Sequence, residues 1–248
     1  MLKMLILGSL LLSSLYAGSI NIAVAANVSY AIDDLKKEFN KIYPNTKVRV
    51  TLGSSGKLTA QISHGAPYDL FMSANMKYPQ NLYQNKIAIT KPIVYAKGGL
   101  AIISNKKRDF SDINTLLKSK DIKRIAIANP KTAPYGIATV EALKNMNLYE
   151  DIKVKFIYGE SIAQTVSYAV TATDLGFIAR SSLQSPHMKR FKKDINYVDL
   201  DSKFYTPIDQ GIVILKNGNS NDEVKAFYDF IRSTKAQEIF KRFGYELP

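Results

Sequence analysis

Two serines between two glycines are the residues of this chain best suited to binding chemistry. The segment is Gly53-Ser54-Ser55-Gly56, and it carries no acidic group. Residues 47–52 before it alternate apolar and polar side chains, which predicts a strand, and residues 58–62 after it open a helix. A strand that ends in such a loop and continues as a helix directs backbone N–H groups and hydroxyls at one point, which suits an anion. For this loop alone, the alternative is an ordinary helix cap.

Three other loops have the same layout, because each follows a predicted strand and precedes a predicted helix. They are Ala26-Asn27, Pro134-Tyr135-Gly136 and Ser161-Ile162. In open α/β sheets, ligands bind outside the carboxyl ends of the strands. Two of the four loops belong to each half of the chain, so a pair of lobes would bring all four to one cleft. Helix dipoles and oriented amides would supply positive potential there without a lysine or arginine.

A site made only of hydrogen-bond donors favours an anion that carries no proton at neutral pH. Sulfate, molybdate and tungstate meet this condition. Monohydrogen phosphate does not, because its O–H needs an acceptor and an unmatched buried polar group costs about 1–3 kcal/mol. Glu160 is the one acid beside these loops, and its place at a predicted helix start is that of a capping charge.

Catalytic and metal-binding alternatives find little support in the residue types. An exported hydrolase with Ser55, His64 and Asp69 as its triad is the alternative from a different class, but no Gly-x-Ser-x-Gly elbow surrounds Ser55. The chain has no cysteine, and its two histidines, His64 and His187, are far apart in sequence. We therefore expect a binding protein and no enzyme, with no cofactor and no direct metal ligands.

The start of the chain and its charge indicate where the protein works. Residues 1–17 have the composition of a secretory signal peptide, with one early lysine, a short apolar run and the small residue Ala17. The apolar run is shorter than the roughly 20 residues that span a membrane. The net charge of +13 favours anionic partners, which include nucleic acid and small anions. Because the basic residues are dispersed among acidic ones and export is predicted, we expect a periplasmic protein that binds no nucleic acid.

The chain after residue 17 is predicted to form two α/β lobes. Up to residue 73 it alternates strand, helix, strand, helix and strand, which is typical of a parallel sheet with helices on its faces. A long predicted strand at 93–103 is interrupted at Gly98-Gly99 and crosses to the second half, where the pattern repeats. A strand at 208–215 returns to the first half, and two helices close the chain. The predicted first lobe is 18–97 with 207–248 and the second is 98–206, each a mainly parallel sheet with flanking helices.

Several segments together resemble the periplasmic molybdate-binding proteins of ABC transporters, over the whole chain after residue 17. These segments are Ala25-Ala26-Asn27, Gly53-Ser54-Ser55-Gly56-Lys57-Leu58, Gly65-Ala66-Pro67, Ala133-Pro134-Tyr135-Gly136, Gly159-Glu160-Ser161-Ile162 and Leu175-Gly176-Phe177. The resemblance implies a two-lobed, type II-like periplasmic binding protein with its ligand in the interlobe cleft. It implies capture of molybdate, together with tungstate, and delivery to an inner-membrane ABC permease by a monomer. The alternative within this class is another tetrahedral oxyanion such as sulfate.

The same resemblance implies which residues contact the anion. Carried over by position, they are Ala26, Asn27, Ser55, Tyr135 and Ile162. Asn27 would donate its backbone N–H and its side-chain NH₂, Ser55 its hydroxyl and N–H, and the other three their backbone N–H groups. Some members of the family place a tyrosine hydroxyl on the anion just after the Leu-Gly strand, where this chain has Ala179. Either the site has one donor fewer, or the Asn27 side chain supplies it.

Overall fold

The computed structural model describes residues 18–248, so the predicted signal peptide lies outside the described residues. Within this range no helix is both long and apolar enough to cross a membrane. The strands are β1 (Ser19–Ala25), β2 (Lys47–Gly53), β3 (Leu70–Met72), β4 (Ile93–Gly98), β5 (Leu100–Ile103), β6 (Ile125–Ala128), β7 (Phe156–Gly159), β8 (Leu175–Ala179), β9 (Tyr197–Asp199) and β10 (Ile208–Ile214). The helices are α1 (Ile32–Phe39), α2 (Ser55–Ser63), α3 (Lys77–Gln84), α4 (Ile113–Lys118), α5 (Pro134–Asn145), α6 (Tyr149–Ile152), α7 (Ile162–Thr171), α8 (Asp222–Ile231) and α9 (Thr234–Arg242).

The strands form two five-stranded sheets of the same plan. Their orders are β2-β1-β3-β10-β4 and β7-β6-β8-β5-β9. The predicted two-lobed α/β fold is confirmed, but each sheet is mixed and not mainly parallel as predicted, with two parallel and two antiparallel pairings. The reason is that β10 and β5 enter their sheets from the other half of the chain. No strand–helix–strand crossover of the kind that parallel neighbours need precedes either of them.

Helices cover both faces of the first sheet and bury its apolar side chains. In α1, Ile32, Leu35 and Phe39 recur at helical spacing and are buried with α8 and α9 in one cluster. On the opposite face, α2 and α3 bury Leu58 and Leu82 against β3 and β10. This packing holds the carboxyl ends of β1 and β2, and the start of α2, toward the second lobe.

The lobes are joined by two chain crossings, with the C-terminal tail beside the first. β4 passes into β5 across Gly99, and residues 200–207 lead from β9 to β10. Lys97 and Glu246 exchange two backbone hydrogen bonds, of 2.8 and 3.0 Å, which fix the tail against the first crossing. Arg180, just after β8, donates to the carbonyl of Gly244 at 3.0 Å and to the carboxylate of Glu246 at 2.8 Å. The end of the chain therefore ties the second lobe to the first.

Candidate functional site

All five residues predicted to bind the anion line one small cavity between the lobes. Its volume is about 10 Å³, room for roughly one water-sized sphere. The lining residues come from all four predicted loops and their neighbours: Ala25, Ala26, Asn27, Gly53, Ser54, Ser55, Ala74, Ala133, Pro134, Tyr135 and Ile162.

The Gly/Ser loop places Ser55 at the first position of α2, with Ser54 as the residue before it in extended conformation. Ser55 is fully buried, and its Oγ accepts a hydrogen bond of 2.9 Å from the backbone N–H of Ala74. The Ser54 hydroxyl is buried without a hydrogen-bond partner among the described residues, although it lines the cavity. The residues that the resemblance implied as ligands include Ser55 and not Ser54, so this second hydroxyl is a feature that the sequence reasoning missed.

Asn27 follows β1 in a short 3-10 helix and is fully buried. Its Nδ2 donates to Gln210 Oε1 at 2.7 Å and to the Tyr245 hydroxyl at 2.9 Å. Both side-chain N–H groups that were predicted for the anion are therefore engaged within the protein. The backbone carbonyl of Asn27 accepts from the hydroxyls of Tyr245 at 2.8 Å and Ser181 at 3.2 Å. The single sign in the sequence of this polar cluster is Gln210, which lies two residues after the apolar Ile208 and two before the apolar Ile212 in β10.

The second lobe contributes the N-termini of α5 and α7. Pro134 occupies the first position of α5, where its fixed φ suits the helical backbone. The N–H of Gly136, two residues on, already donates to the carbonyl of Ala133 at 2.9 Å. Ser161 caps α7, its Oγ accepting from Gln164 N–H at 3.3 Å. Tyr135 and Ile162 therefore lie at helix starts, at the positive end of the helix dipole, and both line the cavity. Ala179, the position of the missing tyrosine hydroxyl, is buried at the end of β8.

Tyrosine hydroxyls stand behind the cavity. Burial raises the pKa of Tyr95, Tyr135 and Tyr245 well above the usual value of about 10. These hydroxyls therefore stay protonated at neutral pH and act as hydrogen-bonding groups. Gln210 connects them, because its Oε1 accepts from the Tyr95 hydroxyl at 2.9 Å and its Nε2 lies 3.4 Å from the Tyr135 hydroxyl.

Two contacts bridge the lobes beside the cavity. The backbone N–H of Gly56 donates to the carbonyl of Thr132 at 2.8 Å. A Cβ on Gly56 would lie 2.9 Å from that carbonyl oxygen, so a glycine is required for this approach. One residue further, the Lys57 ammonium pairs with the Glu160 carboxylate, and both side chains are more than half exposed. Glu160 therefore faces a partner in the other lobe as well as standing before α7.

The three residues of the alternative triad are not assembled. His64 is exposed, and its Nδ1 lies 2.7 Å from the carbonyl of Ala60. Asp69 accepts from the backbone N–H of Asn21 at 2.6 Å, while Ser55 Oγ is engaged at the cavity. Within residues 18–248 no group of three or more His, Asp or Glu side chains is placed to hold a metal ion.

Comparison with known proteins defines the class. The sequence matches the family described as bacterial extracellular solute-binding protein over residues 20–246, which is nearly all of the described chain. Two lobes with a cavity at the carboxyl ends of their strands agree with that class.

Matches to individual proteins of this class give a narrower family than the family model does. The chain is 34% identical over 240 residues to the molybdate-binding protein ModA of Azotobacter vinelandii, with 96% of this chain and 94% of that protein covered. It is 32% identical to ModA of Rhodobacter capsulatus, with 92% and 88% covered. The solved structure of the Azotobacter vinelandii periplasmic molybdate-binding protein matches with a TM-score of 0.84 at 30% identity, covering 92% of this chain and 99% of that one. The chain therefore belongs to the molybdate-binding protein family of bacterial solute-binding proteins, as its sequence segments predicted.

Proposed function

We propose that this protein captures molybdate, together with tungstate, between its lobes and delivers the anion to an ABC transporter permease in the inner membrane. The observation that carries the proposal is the convergence of the N-termini of α2, α5 and α7 on one cavity. The lining residues include several N–H and O–H donors and no acidic side chain. The relatives named for molybdate binding span almost the whole chain, which supports this anion over others.

The proposed ligand contacts follow from the donors that remain available. The Ser55 hydroxyl donates its hydrogen to an oxygen of the anion, because its own oxygen is held by Ala74. Backbone N–H groups of Ala26, Asn27, Tyr135 and Ile162 add further donors, and the Ser54 hydroxyl, which has no partner among the described residues, lines the same cavity. A preorganised set of dipoles stabilises a charged ligand without reorganising, so affinity requires no cofactor and no covalent step. Release follows from separation of the lobes.

The proposed setting is the periplasm, and the proposed unit is a monomer. The composition of residues 1–17 is that of a secretory signal peptide, and the matched family is described as extracellular. The cavity is complete within one chain, because both lobes of that chain supply its lining.

Titration calorimetry of the purified protein with molybdate, tungstate, sulfate and phosphate tests the proposal. We expect tight binding of molybdate and tungstate, weaker binding of sulfate and very weak binding of phosphate. The double variant Asn27→Ala, Ser55→Ala should lose most of the affinity while remaining folded by circular dichroism. Sulfate binding as tight as molybdate binding would assign the protein to another oxyanion. Unchanged molybdate binding by the double variant would refute the site.

A further inference from the structure

The side-chain amide of Asn27 has hydrogen-bond partners at its nitrogen but, among the described residues, none at its oxygen. Its Nδ2 has two acceptors, Gln210 Oε1 at 2.7 Å and the Tyr245 hydroxyl at 2.9 Å. Its Oδ1 is buried and has no hydrogen-bond partner within residues 18–248. Asn27 also lines the cavity. In this orientation the amide leaves an acceptor unused at a site where an unprotonated oxyanion needs donors.

Gln210 fixes that orientation. It is fully buried, beside the register shift between Gln210 and Gly211 in β10, so its amide stays within the protein. Its Oε1 accepts from both Asn27 Nδ2 and the Tyr95 hydroxyl, at 2.7 and 2.9 Å. While the oxygen of Gln210 faces Asn27, the nitrogen of Asn27 must face Gln210.

A second arrangement of the same groups gives the Asn27 oxygen its partners. An amide carries two donors on its nitrogen and two acceptor sites on its oxygen, so a half-turn of the group exchanges them almost in place. When both amides turn, Gln210 Nε2 donates to Asn27 Oδ1 and to the Tyr95 oxygen, and Gln210 Oε1 accepts from Tyr135. The Tyr95 hydroxyl hydrogen gives up Gln210 Oε1 as its acceptor in this arrangement. The Tyr245 hydroxyl turns its one hydrogen from the backbone carbonyl of Asn27 to Asn27 Oδ1, and that carbonyl keeps the Ser181 hydroxyl as its donor. The buried oxygen then has partners, and Asn27 Nδ2 is released toward a ligand.

We propose that Gln210 is a positioning residue that turns the Asn27 amide, so that the site presents Nδ2 to an unprotonated oxyanion and discriminates against a monoprotonated one. This inference rests on the proposed function. It requires a side chain at position 210 that can either accept from or donate to Asn27, which glutamine does. A glutamate carboxylate only accepts, so it holds Asn27 Oδ1 toward the ligand. Methionine supports neither orientation.

Gln210→Glu tests this role, with Gln210→Met as the variant without a polar group. Calorimetry is run with molybdate and with phosphate at about pH 9.5, above the pKa documented for buried glutamates. At this pH phosphate is the monohydrogen dianion, so both ligands carry two negative charges. The charge that the Q210E substitution adds then weakens both alike and cancels in the ratio of their Kd values. We expect the molybdate-over-phosphate preference to fall at least about tenfold in Q210E, and about threefold in Q210M.

The outcomes separate the role of Gln210 from the function itself. Thermal melts confirm that each variant is folded, and Q210M carries the test if Q210E is not. A preference that stays at its wild-type value in the folded variants, even with both affinities reduced, would show that Gln210 only supports the fold and would overturn the inference. Wild-type protein that binds neither anion would overturn the proposed function together with it.

Discussion

The backbone N–H of Ala74 donates to the hydroxyl oxygen of Ser55 at 2.9 Å, and this contact determines where the Ser55 hydrogen can go. Ala74 follows β3 and Ser55 opens α2, and both are buried residues of the cavity lining. Because the neighbouring backbone uses a lone pair of the oxygen, the hydroxyl hydrogen is left to donate. A backbone contact between two elements of the first lobe thus prepares a donor for an anion.

Ser55→Ala should weaken both binding and folding. Loss of a hydrogen bond to a charged ligand costs about 1.5–3 kcal/mol, which predicts molybdate binding about 10- to 100-fold weaker by calorimetry. The Ala74 N–H loses its partner in a buried place, so the free energy of unfolding in urea should fall by about 1–3 kcal/mol. Unchanged stability would contradict the Ala74 contact, and unchanged affinity would contradict the donor role.

Ser54→Ala is the matched comparison, because the Ser54 hydroxyl is buried without a partner among the described residues. Removing an unsatisfied polar group should raise the free energy of unfolding of the ligand-free protein by about 1 kcal/mol. The same hydroxyl lines the cavity, so molybdate affinity should fall by about tenfold. The two serine variants are thus expected to change stability in opposite directions. Loss of stability in S54A would show that its hydroxyl has a structural partner.

The four loops were predictable because each depends on local sequence. A strand period, a break rich in small residues and a helical period follow one another within about ten residues, and parallel strands direct such breaks to one edge. Boundaries were less predictable at α5, where helical spacing predicts a start at residue 137 and the structure starts it at Pro134. Proline at the first position of a helix accounts for the difference, because its missing N–H is not needed there.

The polar cluster behind the cavity could not be predicted from local patterns. Asn27 and Gln210 are 183 residues apart, and Asn27 and Tyr245 are 218 apart. A polar side chain that alternates with apolar ones on a strand, as Gln210 does with Ile208 and Ile212, shows that a partner is needed, because buried polar groups are bonded, but not which partner. The pairing depends on β10 and the tail returning to the first lobe. The same return of β10 makes the first sheet mixed.

The Lys57–Glu160 pair should slow ligand release, because it joins the lobes beside the cavity. Exposed pairs contribute about 0–1 kcal/mol, so Lys57→Met and Glu160→Gln should each raise the molybdate dissociation rate by up to about fivefold in stopped-flow measurements. If Lys57 instead acted directly on the anion, Glu160→Gln would leave its charge unpaired and would tighten binding. Tighter binding by E160Q would therefore refute the bridging role.

A comparable ion pair inside the second lobe provides the control for that measurement. Lys153 and Glu150 pair at 2.6 Å, one helical turn apart, and do not join the lobes. Lys153→Met changes the net charge as Lys57→Met does. We expect its dissociation rate to match that of the wild-type protein. An equal increase in K153M and K57M would assign the effect to net charge.

Alkaline pH should unfold the protein through the tyrosines behind the cavity. Burial raises the pKa of Tyr95, Tyr135 and Tyr245 above the usual value of about 10, so the folded state keeps protons that the unfolded chain loses. The free energy of unfolding therefore has its highest value below about pH 10 and falls as the pH rises toward the raised pKa values, by about 1.4 kcal/mol per pH unit for each tyrosine.

Tyr95→Phe removes one of the three groups, together with the 2.9 Å bond to Gln210. Urea unfolding should show Y95F about 1 kcal/mol less stable near pH 8, with the difference narrowing above about pH 10. Parallel curves for the two proteins would show that Tyr95 ionises alike in both states and would contradict the prediction.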